Sequence, residues 1–518
     1  MFILITITIL FTTALALLIL HWGRPDFRAT WLVAVGGASL AWISVFLWQL
    51  KMPLVLTLPA WQPELLFVDS PVFVADGLSW PYAISLTTLA LGALLTSIVR
   101  ENFPNPPAWA GILTLTGMGM LAVLADNPLT LALTWAAIDL VELITLLGSV
   151  SGKKLRERVV VAFATRVVGL GFLLWAGFVS SAAGSSLNFI AAPTQAGLYM
   201  LVAASLRLGV LPMHLPFTME TALRRGYGTA LRLISAASSL ILLARIPASS
   251  VKSPWTPFLF VLVALAALYS GWIWFRSMNT LDARPYWLIG MGSLAVASAL
   301  RANPAGSVAW GCALILGGGA LFLSSIQQKW LTRLLLAGIL GMTSLPFTLT
   351  ASGWVSKTEI WWGFGLVFFP AQAFLLAGYV RHARRATENK FETQHKSARL
   401  VYPVGIALML LIMFLLGVWG WRGAQTIGFW WMGFAATLLT ITLLWLRPRV
   451  RMLTPPQAHW LKPAASNLDQ LYGILWNFYL ILRRFSAFIT KVLESDGGIL
   501  WTLLFIVLFA SLLAGGMR

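Results

Sequence analysis

The chain has 518 residues, 59% of them hydrophobic and only 10% charged, against about 25% charged in an ordinary soluble domain. With a mean hydropathy of +0.82, that balance excludes a soluble globular protein and leaves room for many membrane spans. The formal charge of +19 would fit a nucleic-acid partner, but the Lys and Arg residues sit between apolar runs rather than in one patch, the pattern of loops on the cytoplasmic side of a membrane.

Apolar runs of about 18 residues or more mark spanning helices. They fall near 2–20, 31–50, 79–99, 108–125, 129–150, 159–181, 196–216, 229–247, 256–275, 285–302, 307–327, 334–350, 357–381, 400–420, 427–446 and 498–515. The expected fold class is an all-α polytopic membrane protein of about 14–16 transmembrane helices, some discontinuous. The first run lacks the basic n-region and cleavage site of a signal peptide, so it reads as a retained span.

Loop charges test this register. Loops after odd-numbered spans carry Arg24 and Arg28; Arg100; Lys153, Lys154, Arg156 and Arg158; Arg224 and Arg225; Arg276 and Arg284; Lys329 and Arg333; Arg381, Arg384, Arg385, Lys390 and Lys396; and Arg447, Arg449 and Arg451. The other loops hold scattered single charges: Lys51, Lys252, Arg301 and Arg422. This alternation predicts an outer N-terminus and cytoplasmic odd-span loops.

Two runs hold ionisable residues where hydrocarbon disfavours them, which marks a functional candidate. Asp139 and Glu142 in the fifth run are three apart and share a helix face. Close carboxylates resist joint ionisation, which suits a proton carrier or a cation partner. A structural pair with Arg166 is the other reading. In the seventh run, Arg207, Pro212, His214 and Pro216 predict a polar break, since proline removes a helical bond and frees carbonyls. There the bland alternative puts His214 at a helix end and Arg207 in a packing ion pair.

A third interruption comes at Leu345-Pro346-Phe347 and continues through Ser352-Gly353-Trp354-Val355-Ser356-Lys357-Thr358-Glu359. It reads as a discontinuous span with Lys357 and Glu359 at the break, or else as an ordinary wet loop. From about Pro455 to Ser495, Leu468, Leu471, Tyr472, Leu475, Phe478, Tyr479 and Leu482 recur at helical spacing. That predicts an amphipathic helix on the membrane or a partner, or a plain linker helix. The 26 tryptophans mostly fit interfacial belts. The single cysteine, Cys312, excludes an intrachain disulfide and a cysteine-based metal site. No phosphate loop, dinucleotide fingerprint, HExxH or Ser-His-Asp arrangement occurs, so no cofactor, metal or catalytic residue is expected.

These segments together resemble the antiporter-like subunits of respiratory complex I, a family shared with Mrp-type cation/proton antiporters and membrane-bound hydrogenases. Ala75-Asp76-Gly77-Leu78-Ser79 resembles the family's v-D-G-L-S at the start of its third span. Arg166 to Phe172 is similar to its R-x-G-D-x-G-F, and Leu206 to Pro216 to its K-S-A-x-x-P-x-H-x-W-L-P, with Pro212 and His214 in place. Leu281-Asp282-Ala283-Arg284 resembles D-L-K-R, and the stretch from Ser352 to Ile360 resembles G-F-x-S-K-x-x-I. The resemblance runs in order over roughly residues 70–365, and the amphipathic stretch resembles a short form of the lateral helix of the largest such subunit.

The resemblance implies an antiporter-like fold with a polar axis relaying protons. It puts Lys357 at the terminal axis lysine, Arg207 at the seventh-span lysine and His214 at the family's histidine. Arg166, Asp282 and Arg284 become structural charge-pairing positions. It also implies four segments: spanning helices over 1–106, an antiporter-like core over 107–382, further spans over 383–451, and an amphipathic helix with a last span over 452–518.

Departures matter. The family's W-E is Trp135-Ala136 here, and Asp139, one turn on, is the candidate substitute with Glu142 second. Leu170 replaces an aspartate, and Ala313 to Leu323, with Gly317-Gly318-Gly319, holds no lysine or histidine. An arginine does not deprotonate in practice, so Arg207 is a poor relay.

Three functions compete. The leading expectation is a proton-translocating membrane subunit of a complex I-like redox complex, partnered by other membrane subunits in the cell inner membrane and free of redox cofactors. A scaffold with a degenerate path is the second. A subunit of a cation/proton antiporter or of an inorganic-carbon uptake complex is the third.

Overall fold

The computed structural model describes residues 2–27, 29–59, 70–100, 102–150, 153–185, 188–211, 223, 225–355, 362–385, 389–390, 396–421 and 423–447, with five further positions between 473 and 484. Met1–Pro455 forms one compact unit and Pro456–Arg518 a second. In the second unit, the described positions Gly473, Asn477, Leu480, Ile481 and Arg484 are helical. The run near 498–515 lies outside the described residues.

Fifteen α-helices are found among the described residues: α1 (Phe2–Gly23), α2 (Thr30–Trp48), α3 (Ser79–Thr96), α4 (Pro106–Leu124), α5 (Pro128–Ser149), α6 (Lys153–Ala182), α7 (Thr194–Arg207), α8 (Tyr227–Ala244), α9 (Thr256–Arg276), α10 (Arg284–Ala299), α11 (Pro304–Leu323), α12 (Lys329–Ala337), α13 (Trp362–Ala383), α14 (Lys396–Val418) and α15 (Trp430–Leu446). Among the described residues, ten helical segments are long and apolar enough to cross a membrane. This is an all-α, multi-pass membrane protein.

Three helices start on the same local device. Asn105, Asn127 and Asn303 each precede a proline at the first helical position, where its missing N–H costs nothing. Each asparagine side chain accepts a backbone N–H, from Ala108 at 3.2 Å, Thr130 at 2.8 Å and Gly306 at 2.9 Å. The helices then sort by burial. α3, α8 and α11 are almost wholly enclosed, whereas α1 and α2 keep broad exposed faces suited to lipid.

Two short β pairs were not expected from the sequence. Leu54–Thr57 pairs antiparallel with Val72–Ala75, and this hairpin links α2 to α3. Ile326–Gln327 pairs in parallel with Asn389–Lys390. The first uses brief apolar runs and the second only two residues a side, too short to register against the hydropathy of the helices.

Two interior helices break. α7 ends at Arg207, and the reversal comes at Gly209 (φ +68), three residues before Pro212. Gly209 N–H donates to Leu206 O at 3.1 Å and Val210 N–H to Ser205 O at 2.9 Å, the two-bond cap that a left-handed glycine allows. The break expected at the prolines therefore begins at a glycine. Pro212, His214 and Pro216 lie outside the described residues.

The second break follows α12. The expected span over 334–350 is helical only to Ala337; beyond it come 3-10 turns at Leu340–Met342 and Leu349–Trp354, with Ser344 (φ 59) and Phe347 (φ 65) in the left-handed region. Side chains satisfy the freed backbone, as buried irregular segments require. Gln372 donates to Met342 O at 2.9 Å, and Thr350 Oγ1 accepts from Ser344 N–H at 3.0 Å. At the far end Arg301 donates to Gly353 O at 2.8 Å, and Asn303 Nδ2 donates to Ser352 O at 2.7 Å and Val355 O at 3.0 Å. The α10–α11 turn thus holds the backbone two residues ahead of Lys357. Lys357 and Glu359 themselves lie outside the described residues.

Candidate functional site

The fifth run forms α5, and the i, i+3 spacing sends Asp139 and Glu142 to the same inward face, each 3% exposed. Three arginines from three neighbouring helices meet them: Arg166 of α6, Arg207 at the C-terminal end of α7 and Arg232 of α8, all buried. The order is a line of alternating sign. Arg207 holds Asp139 with both terminal nitrogens, Nη2 at 2.9 Å from Oδ1 and Nη1 on Oδ2. Arg166 Nη1 lies 3.4 Å from Asp139 Oδ1 and 2.9 Å from Glu142 Oε2, so one guanidinium serves both acids. Arg232 Nη1 bonds the other oxygen of Glu142.

Serines of α8 complete the shell. Ser235 accepts from Arg166 and Ser239 from Arg207 Nε at 3.3 Å. Trp135, one turn before Asp139, donates its indole N–H to Ser238 O at 2.9 Å and lies under the Arg207 guanidinium at 4.2 Å. That face contact adds a cation–π attraction in a dry setting. The last turn of α7 also presents carbonyl ends, which favour a cation such as Arg207.

Arg207 needs a gap in α6, and Gly169 provides it. A Cβ at Gly169 would lie 2.9 Å from Arg207 Cγ and 3.1 Å from the carbonyl oxygen of Ala203. The second neighbour is helix backbone and cannot swing aside. Gly169→Val should therefore lower stability by about 1–3 kcal/mol through overpacking, read as a lower unfolding midpoint in detergent, whereas Gly171→Val, where the space is open, should change little.

Asp282 and Arg284 do not join this line. Asp282 is exposed and accepts from Asn279 at 2.9 Å, while Arg284 is buried and donates to Thr229 Oγ1 and Leu223 O, each at 3.3 Å. Two contributors escaped sequence reasoning. Arg232 sits inside an apolar run, with Ser235 and Ser239 following at helical spacing, and that pattern was its only signal. Arg245, at the other end of α8, lies 3.3 Å from Asp76 Oδ2 and 3.4 Å from Asp126 Oδ1. Asp76 also caps α3, accepting from Ser79 N–H at 2.9 Å. In the loop between α4 and α5, burial pushes the Asp126 carboxyl up, against the opposing pull of Arg245.

Chemically, the line can hold charge and exchange partners. Three of its five members are guanidiniums, which carry charge without releasing protons. Among the described residues no group of three or more His, Cys, Asp or Glu is arranged to hold a metal ion.

No protein-family profile matches this chain, and no curated protein does so by sequence. Solved structures do match in fold. A chain of the Mrp complex from Dietzia sp. DQ12-45-1b superposes with a TM-score of 0.70 at 14% identity, covering 100% of this chain and 63% of that one. This chain thus spans less than two thirds of that relative's length. A chain of the membrane-bound sulfane sulfur reductase, an archaeal respiratory membrane complex, gives 0.64 at 13% identity, covering 98% of this chain and 100% of that one. A chain of respiratory complex I from Thermus thermophilus gives 0.63 at 18%, covering 85% and 100%. The protein therefore has the antiporter-like fold found in membrane subunits of these complexes.

Proposed function

We propose that this chain is a proton-translocating membrane subunit of a redox-driven complex related to complex I, and that the line Arg207–Asp139–Arg166–Glu142–Arg232 is its buried charge station. One observation supports this above others: Arg166 is shared between two acids, 3.4 Å from Asp139 and 2.9 Å from Glu142. A shared cation can favour one acid at the other's expense. A charge shift in a neighbouring subunit would bias that choice. The acid that loses its guanidinium would take a proton from water, and return of the cation would expel it. His214, Lys357 and Glu359 are the onward carriers in this reading. The subunit itself would hold no redox cofactor, and electrons would pass elsewhere in the assembly. The antiporter-like core over 107–382 would carry the path in a cell membrane, with the N-terminus outside and the basic loops in the cytoplasm.

A second reading has its own observation. α11 presents no acidic or basic residue from Pro304 to Leu323, so no charge on that buried helix extends the line. On that basis the chain would be a scaffold that spaces other subunits, in a redox complex or in an Mrp-like assembly. Lys357→Ala separates the two. In vesicles holding the complex as it copurifies, the translocation reading expects proton uptake per turnover to fall with assembly intact. Unchanged uptake would leave the scaffold.

A further inference from the structure

Away from the charge line, three arginines crowd the ends of α9, α13 and α15. Arg381, in the last turn of α13, donates to the carbonyls of Phe275 and Ser277. Arg385, one turn on, donates to Ser277 O as well, so two guanidiniums converge on one carbonyl at the end of α9. Arg447 caps α15. It follows Leu443 by one turn on the stripe of α15 that packs on α13, where Thr440 bonds Ala373 O at 3.3 Å. Arg447 therefore faces the same corner. Among the described residues no carboxylate pairs with Arg381, Arg385 or Arg447. Helix C-termini favour cations, but by well under the strength of an anion between them. Repulsion is already felt: burial, then the Arg447 charge, brings the Arg385 guanidinium down to about 10.

The flank is apolar. Leu438, Ile441 and Trp445 form an outward stripe on α15, and Ile441 and Trp445 are each 59% exposed. A basic cluster between helix ends, beside exposed apolar surface, matches a ligand with an anionic head and fatty chains. A free anion would use the first feature and leave the second unexplained.

We infer that Arg381, Arg385 and Arg447 bind the phosphate of an anionic phospholipid at the shared end of α9, α13 and α15. Arg381 and Arg385 are braced by carbonyls at the end of α9, so their guanidiniums are held in place, and Arg447 joins them from α15.

The test uses the full chain in nanodiscs, with phosphatidylglycerol titrated into phosphatidylcholine and bound lipid counted by native mass spectrometry. Wild type should retain phosphatidylglycerol selectively. Arg385→Gln with Arg447→Gln should weaken that retention roughly 30-fold, the loss expected for two basic side chains at a charged lipid surface. Lys329→Gln with Arg333→Gln, which removes two other basic side chains, both on α12, should leave it unchanged. Absence of selectivity in wild type overturns the assignment without reference to any variant's folding. So does an equal loss in both variants, or displacement by millimolar inorganic phosphate, which would make this a free-anion site. Should the Arg385/Arg447 variant keep its lipid but shed a copurifying acidic subunit, the cluster is a protein contact and the lipid assignment fails.

Discussion

Asp139→Ala should destabilise the protein by about 3–5 kcal/mol, the cost of leaving a buried cation without its acid. Among the described residues, Arg207 would retain Ser239 at 3.3 Å and the Trp135 face at 4.2 Å. Neither replaces a two-point carboxylate contact. Arg166 would keep Glu142, so the damage centres on the α5–α7 contact. The unfolding midpoint in mild detergent, or the folded yield, reads the effect. Asp139→Asn keeps an oxygen acceptor and should cost less. The compensated pair Asp139→Leu with Arg207→Met should recover most of the loss, because removing both partners of a buried ion pair is often neutral or stabilising. Additive losses in the double variant would show that the two side chains do not act as a pair.

Hydropathy made the spans readable, because a bilayer forces helices to announce themselves as long apolar runs. The two breaks were readable for a different reason: Pro212 with Pro216, and Pro346 with Gly353, interrupt apolar runs with two helix-disfavouring residues each. Their details were not. The first turn hinges on Gly209, and a lone glycine in an apolar run carries no mark distinguishing a cap from a packing gap. The second hangs on Arg301, which reads in the sequence as a scattered loop charge, and on Asn303, which carries no sequence signal of that role. Their partners are main-chain carbonyls some fifty residues away, and carbonyls have no sequence identity.

The charge line was half legible. Asp139, Glu142 and Arg207 stand out because ions in oil are costly. Arg166 was a named partner for the acids, but its position between both is a matter of helix rotation. Arg232 was missed because an arginine near the start of a run resembles an interfacial residue, and only packing shows it to be 0% exposed. The hairpin over Leu54–Thr57 and Val72–Ala75 escaped for a related reason: four-residue strands contribute little to any window long enough to detect a span.

The second large effect concerns transport, and it separates function from stability. The double substitution Asp139→Leu with Arg207→Met removes one acid and one base, so net charge is unchanged and the fold should survive. If the line only braces helices, apolar side chains of similar size can brace them too. If it carries charge, they cannot, since a hydrocarbon side chain neither takes a proton nor changes partners. Loss of a positioned acid–base group costs about 100-fold or more in rate. The decisive measurement is proton flux through vesicles containing the whole complex, driven by its own electron donor, with assembly verified beside it. The charge-station account predicts that the double variant assembles normally and that its flux falls by about two orders of magnitude. Wild-type flux through that assembled variant would contradict it.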